Sequence, residues 1–304
     1  MFAIVIVNWN SGNHLYNCLN SITNYNSSLI DKIVVVDNFS NDNSIEKINN
    51  LPNIDLILSP INLGFSKACN LGAKNTNSEF IIFLNPDAAL FENTISNLKS
   101  TLDNNVNNKI GIIGIQLIDE DKNITRTCSR SPNFYRLLAL SIGIDKYFPV
   151  LGCIMSEWNH AHTKIVDQVI GAFFVVKTNL YNILGGFDER FFVYYDEVDF
   201  SLRLKKLGYK TLYDAENSAF HFGGGSSNQV KAKRLFYSLR SRLQYINKHL
   251  NFIENILLFI FLFTFEFLIR IFFSIFKFSY SNFKETIIAY IYLLKWVFNN
   301  NYNV

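Results

Sequence analysis

The sequence predicts an α/β fold with a mainly parallel central sheet, followed by an apolar helical tail. Three observations carry this. Short continuous apolar runs alternate with helix-period segments over the first hundred residues, polar and acidic clusters fall where those runs end, and residues 252–278 turn almost wholly apolar. A chain of 304 residues is long enough for one large α/β core and an appendage.

Phe2–Val7 is a short continuous apolar run, the pattern of a strand buried on both faces. No positive region precedes it and no small-residue cleavage site follows, so it reads as a first strand and not a signal peptide, and the chain is expected to stay in the cytoplasm. Asn10 and Ser11 offer helix caps, and Leu15, Cys18, Leu19 and Ile22 then recur at helical spacing. Lys32–Asp37, Ile54–Leu58 and Phe80–Leu84 repeat the strand pattern, with a helix carrying Ala68, Gly72 and Ala73 between the last two. Alternation at this spacing predicts parallel strands with helices on both faces. Ile110–Ile118 and Val166–Val176 also read as strands, separated by a loop-rich stretch. A helix over Asp196–Leu207 has acids in its first turn, Lys205 and Lys206 in its last and Gly208 at its stop, as dipole and C-cap rules require. The domain boundary falls near residue 245, giving an α/β domain over 1–245 and a hydrophobic helical tail over 246–304.

Composition excludes several classes. A net charge of +3 does not argue for nucleic acid, and no nucleic-acid partner is expected. Four scattered cysteines form neither a disulfide framework nor a close metal pair. The first strand is followed by Asn8-Trp9-Asn10-Ser11-Gly12, not G-x-G-x-x-G, and no Walker-type element occurs, which disfavours a nicotinamide oxidoreductase or an NTPase.

Three clusters lie at strand or helix ends, where open α/β sheets bind ligands. They are Asp37 to Ser44, Asn85-Pro86-Asp87, and Asp196-Glu197-Val198-Asp199. Singly, each is as readily a turn or a helix cap; His221 before Gly223-Gly224-Gly225-Ser226-Ser227 is as readily a satisfied histidine beside a loop. Together they suit transfer of a sugar from a nucleoside diphosphate. The leaving diphosphate gathers negative charge that a hard divalent cation on carboxylate oxygens can offset, and the incoming hydroxyl needs a base.

The residues resemble glycosyltransferase family 2, in its rhamnosyltransferase-like branch. The matching runs are IVIVNWN, IVVVDNFSNDNS from Ile33, NLGFSKACNLG from Asn62, FLNPDA from Phe83, the long run from Ile170 to Tyr209, and AFHFGGGSS from Ala219. The resemblance covers roughly residues 1–245 and implies a GT-A-type nucleotide-sugar-binding fold with inversion at the anomeric carbon. By motif position, Asn8, Asp37, Asn62, Asn85 and Asp87 contact the nucleotide-sugar. Asp87 is the metal-binding member of the Asp-x-Asp signature, whose first position is here Asn85, and His221 completes the metal site. The implied cofactor is Mg2+ or Mn2+. The family's Glu-Asp pair is reversed here, with Glu197 the candidate base and Asp196 the alternative. The implied donor is a nucleotide-diphosphate sugar such as dTDP-rhamnose, and the acceptor a lipid-linked glycan of a bacterial surface polysaccharide.

In the tail, Phe252–Phe278 is almost wholly Phe, Ile and Leu, interrupted near its middle by Glu266 and Arg270, which are spaced to pair, with Ser274 and Lys277 continuing that polar stripe. That pattern suits a helix in the membrane interface more than one packed on the catalytic domain or on a second subunit, and either more than a span. Tyr290, Tyr292 and Trp296 follow, and the basic stretch Lys231–Lys248 precedes, placed for anionic headgroups. The expectation is a membrane-surface enzyme, peripheral or monotopic, on the cytoplasmic face. Two rival readings are a sugar-1-phosphate nucleotidyltransferase, which lacks its basic Gly-rich first loop here, and a non-catalytic sugar-nucleotide-binding scaffold.

Overall fold

The structure is a computed structural model that describes residues 1–25, 28–48, 51–74, 76–223 and 230–299. By internal contacts the chain divides into two units, one of residues 1–129, 158–192 and 196–226, the other of 130–157, 193–195 and 227–304.

The first unit begins as its sequence pattern dictates. Strand β1 (Phe2–Asn8) is buried along its whole length, and helix α1 (Asn13–Asn24) turns Leu15, Cys18, Leu19 and Ile22 onto it. Strand β2 (Ile30–Asp37) pairs parallel with β1, and β3 (Ile54–Leu58) with β2. Helix α2 (Phe65–Ala73) returns the chain to β4 (Phe80–Leu84), which lies parallel to β1 on its other side. Gly72 is required at that crossover, because a Cβ there would press into Val5 and Val36. After the short strand β5 (Ala88–Leu90) and helix α3 (Thr94–Asn104) comes β6 (Ile110–Ile118). Helix α4 (Phe134–Ile142) belongs to the second unit.

The expected strand over 166–176 is three pieces. Strand β7 (Cys128–Ser129) pairs with β9 (Gln168–Val169) in a small second sheet, while β8 (Lys164–Val166) and β10 (Phe173–Lys177) join the main one. The chain breaks at Asp167, whose carboxylate takes the Lys205 ammonium at 2.6 Å, and again around Gly171. Helices α5 (Thr178–Ile183) and α6 (Asp196–Lys206) and the long strand β11 (Lys210–His221) complete the unit.

The described residues form a nine-stranded mixed sheet, ordered β3-β2-β1-β4-β10-β6-β11-β5, with β8 also on β11. Strands β1 to β4 are mutually parallel, while β10 runs antiparallel to both its neighbours. The chain leaves β1 toward β2 on one side and returns to β4 on the other. The carboxyl ends of β1 and β4 therefore flank the switch point, where an open α/β sheet leaves a crevice.

The second unit is helical, with α4, α7 (Lys231–His249), α8 (Phe252–Phe261), α9 (Phe267–Phe276) and α10 (Tyr280–Phe298). Asn251 caps α8 through a reciprocal box with Glu254. One π-helical turn, Leu262–Glu266, joins α8 to α9 and makes Phe252–Phe276 a continuous helix.

Candidate active site

At the switch point, Asn8 ends β1 directly opposite Asp37, the last residue of β2. Asn8 is fully buried, and its amide nitrogen donates to Asp37 Oδ1 at 2.8 Å, Ser44 Oγ at 2.8 Å and Ser40 Oγ at 3.1 Å. Its carbonyl oxygen accepts from the Ser11 hydroxyl. The other Asp37 oxygen accepts from the Ser40 amide at 3.2 Å. Asn8 thus lies beneath the site and fixes the direction of Asp37. Asp42 closes the same loop by accepting the Gly12 amide at 2.8 Å and the Ser44 hydroxyl at 2.6 Å. Partial burial works against its charge, but these bonds outweigh it and hold the carboxyl below its ordinary value.

Asn62 is brought to the same edge by Asn38. The Asn38 amide nitrogen donates to Asn62 Oδ1 at 3.0 Å, and its carbonyl oxygen accepts the Leu63 amide at 2.7 Å. Sequence reading passed over Asn38, whose one signal is its place directly after Asp37 at a strand end. Gly64 follows with φ 79°, and a Cβ there would overlap the Phe192 carbonyl. That carbonyl instead accepts the Phe65 amide at 2.5 Å. The start of α2 is thereby tied to the segment that leads, four residues on, into α6.

The turn Asn85-Pro86-Asp87 follows β4, closed by the Ala88 amide donating to the Asn85 carbonyl at 3.1 Å. It turns the chain into β5, which pairs with the end of β11 so that Ala88 stands opposite His221. Asp87 Oδ1 and His221 Nε2 are 3.3 Å apart, both side chains nearly buried. That nitrogen makes no aligned hydrogen bond. Cys18 lies below the turn, its thiol pushed up first by burial and then by the Asp87 charge.

Of the three acids at the start of α6, Asp199 is structural. It is fully buried and pairs with Arg203 at 2.7 Å, and Arg203 also donates to the Leu184 and Gly186 carbonyls at 2.7 and 2.8 Å. Asn70, inside α2, braces the same turn by donating to the Phe187 carbonyl and accepting its amide, both at 2.9 Å. Asp196 is 2% exposed and its Oδ2 has no hydrogen-bond partner. Burial, then the Glu197 charge and a hydrogen bond with the Glu197 side chain, push the Asp196 carboxyl well up. Cys69 of α2 is their neighbour, its thiol raised by burial and then by both acids.

The structure therefore places Asn8, Asp37, Asn62, Asn85 and Asp87 at strand ends on one edge of the sheet. Asp196 and Glu197 are linked to that edge through α2. Gly224, Gly225, Ser226 and Ser227 lie outside the described residues.

For a divalent cation, Asp87 and His221 supply a carboxylate and an imidazole facing each other, and Asn85 a nearby amide oxygen. Among the described residues no group of three or more His, Cys, Asp and Glu side chains gathers. A cation that draws its other ligands from a diphosphate needs only one or two from the protein. The orphaned, nearly buried His221 nitrogen beside Asp87 fits that arrangement.

Comparison with known proteins adds three findings. The model of the family described as Glycosyl transferase family 2 matches residues 3–156. An N-acetylglucosaminyl-diphospho-decaprenol L-rhamnosyltransferase of Mycobacterium tuberculosis (strain ATCC 25618 / H37Rv) is 23% identical over 255 residues, covering 77% of this chain and 80% of that protein. The low-salt glycan biosynthesis hexosyltransferase Agl10 of Haloferax volcanii is 26% identical over 208 residues, covering 67% of this chain and 61% of that protein. Among solved structures, S. aureus TarS 1-349 in complex with UDP-GlcNAc superposes with a TM-score of 0.53 at 14% identity, covering 95% of this chain and 79% of that one. GalNAc-T7 with UDP, GalNAc and Mn2+ gives 0.55 at 16% identity, covering 73% and 43%. At these identities the structural likeness shows the fold alone, and the fold is of the GT-A type.

Proposed function

The chain belongs to glycosyl transferase family 2, and on that premise we propose that it moves a sugar from a nucleotide-diphosphate donor to a lipid-linked glycan, with inversion at the anomeric carbon. The observation that carries this reading is the gathering of Asp37, Asn62 and Asp87 at one sheet edge, with the buried Asp196 and the half-buried Glu197 held alongside. Asp37, aimed by Asn8, takes the base or ribose of the donor, and Asn62 and Asn85 line the same pocket. Asp87 and His221 would hold a Mg2+ or Mn2+ ion, which when bound would supply positive charge for the leaving nucleoside diphosphate. Glu197 accepts the proton of the attacking hydroxyl. Asp196 keeps its own proton and steadies Glu197 by donating to it. Direct attack opposite the leaving group inverts the configuration.

S. aureus TarS 1-349, a structural neighbour, is solved in complex with UDP and with UDP-GlcNAc, which supports a nucleotide donor. The mycobacterial relative's name supports an L-rhamnosyl donor and an acceptor carried on a lipid diphosphate, as in assembly of a bacterial surface polysaccharide. A membrane-held acceptor also gives the apolar tail 246–304 a purpose, as the attachment of a catalytic domain 1–245 to the cytoplasmic face.

The test is slow donor hydrolysis without acceptor. Full-length protein is incubated with UDP- and dTDP-linked sugars, with and without Mn2+, and released nucleoside diphosphate is measured. One donor should turn over, and the rate should fall at least ~100-fold in Asp87→Ala and Glu197→Gln. Wild-type rates in both variants, or pyrophosphate release from a nucleoside triphosphate, would overturn the proposal.

A further inference from the structure

Glu266 stands near the middle of the continuous helix Phe252–Phe276, whose mean hydropathy reaches 2.5. It is 3% exposed. Its Oε2 accepts from Arg242 of α7 at 2.7 Å, and its Oε1 from Arg270 at 3.0 and 2.8 Å. Ser274 continues this stripe, buried and donating to the Arg270 carbonyl. Glu266 and Ser274 of the polar stripe thus face protein, with Arg270 partly covered beside them, where a helix floating in the interface would turn them to water. The opposite face carries Phe265, Leu268, Phe272, Ile275 and Phe276, each more than half exposed. Only 17% of the most apolar stretch is covered by the protein. A water-soluble amphipathic helix is built the other way round.

The Arg242–Glu266 contact also sets a depth. Arg242 sits in the middle of α7, a helix that further carries Lys231, Lys233, Arg234, Arg240 and Lys248. If Phe252–Phe276 crossed a bilayer, Glu266 would lie near the midplane and bring the centre of this basic helix with it. Cations at that depth are strongly disfavoured. Laid flat, the same pair puts α7 on the headgroup side and the exposed phenylalanines in the acyl layer. Exposed Lys231, Lys233, Arg234, Lys277 and Lys284 on these elements suit an anionic surface. On α10 an apolar slot between Ile291, Leu294 and Phe298 runs beside Lys295.

We infer that the helix Phe252–Phe276 lies flat in one leaflet of an anionic bilayer, held in that plane by the Arg242–Glu266 pair, with both its ends on the same side. The inference rests on the membrane-held acceptor proposed above for its purpose, and on the geometry of the second unit for its content.

The full chain is expressed in a bacterial host with Cys153→Ser, Cys18, Cys69 and Cys128 being buried. Asn247→Cys or Lys277→Cys is added at either end of the helix and probed with a membrane-impermeant maleimide. Both positions should stay unlabelled in intact spheroplasts and label alike after lysis. Labelling of one end in intact spheroplasts shows a span and overturns the inference. As a second measurement, purified wild-type protein should sediment with phosphatidylcholine vesicles containing phosphatidylglycerol on the order of tenfold more than with phosphatidylcholine alone. Protein that ignores both vesicles and elutes as a dimer has its apolar face covered by a second copy, which also overturns it. Donor hydrolysis on the same preparation reports the transferase reading separately.

Discussion

Two buried acids, one in each unit, are treated in opposite ways. Glu266 is 3% exposed and has two guanidinium groups on its two oxygens. Burial pushes its carboxyl up, but Arg242 and Arg270 overcome that and hold it below its ordinary value. Asp196 is 2% exposed and is given another acid as its hydrogen-bonding neighbour. A fully paired charge is a fastening, because removing either partner strands the other. An acid pair with too little positive charge is costly to fold and pays only where a proton must be held or taken up. On the proposed function, the difference separates a fastening in the helical unit from the acid pair assigned to proton transfer.

The contrast breaks most decisively at Glu197. Glu197→Gln should lower kcat by about 10²–10⁴-fold with circular dichroism and thermal midpoint little changed. Asp196→Asn keeps a donor toward Glu197 and should retain activity within about tenfold. Equal losses in both variants would show that the two carboxyls are not divided into base and proton holder. The matching change in the second unit should act on stability instead. Arg242→Met leaves Glu266 short of one partner and is expected to cost about 3–5 kcal/mol in urea unfolding, while the double variant Arg242→Met with Glu266→Met should recover most of it. Donor hydrolysis per folded molecule should be unaffected in either. A smaller loss is expected at Asn38→Ala, which removes the bonds to Asn62 and Leu63 and leaves a buried amide unpaired, about 1–3 kcal/mol with a raised donor KM.

Much of this was legible from residue pattern. The continuous apolar runs marked β1, β4, β6 and the buried half of β2 because a strand covered on both faces disfavours polar side chains, β3 was marked by its apolar content although it is a largely exposed edge strand, and the dipole-matched charges of α6 marked its ends to within a residue. Asp37 and Asp87 were legible as acids directly after such runs. Three things were not. The stretch 166–176 reads as one strand until Asp167 and Gly171 break it, since apolar content does not say which partner each piece will find. The service of Asn8 to Asp37 depends on a register that brings positions 29 residues apart side by side. The polar stripe of the tail was visible, and so was the Glu266–Arg270 pair, but the partner that turns it inward is Arg242, 24 residues earlier on another helix. Periodicity gives a face, and tertiary pairing decides what the face meets.

The smallest expected effect is the only stabilising one, and its sign tests the reading of the acid pair. Because the folded-state carboxyl of Asp196 is raised above its unfolded value, the folded chain holds that proton more tightly than the unfolded chain. Stability is then fullest below the unfolded value and declines as pH rises toward the folded one. Asp196→Asn removes this titration while keeping the shape and the donor. It should therefore raise the thermal midpoint by about 2–4 °C near pH 7–8, and the gain should shrink as pH falls through the unfolded value of an aspartate, below which the wild-type carboxyl is protonated in both states. Glu266→Gln should do the reverse, lowering the midpoint at neutral pH and less so in acid, since the charge it deletes is one that two guanidiniums require. A destabilising Asp196→Asn at pH 8 would mean that Asp196 is ionised and paired after all, and the two units would then treat their buried acids alike.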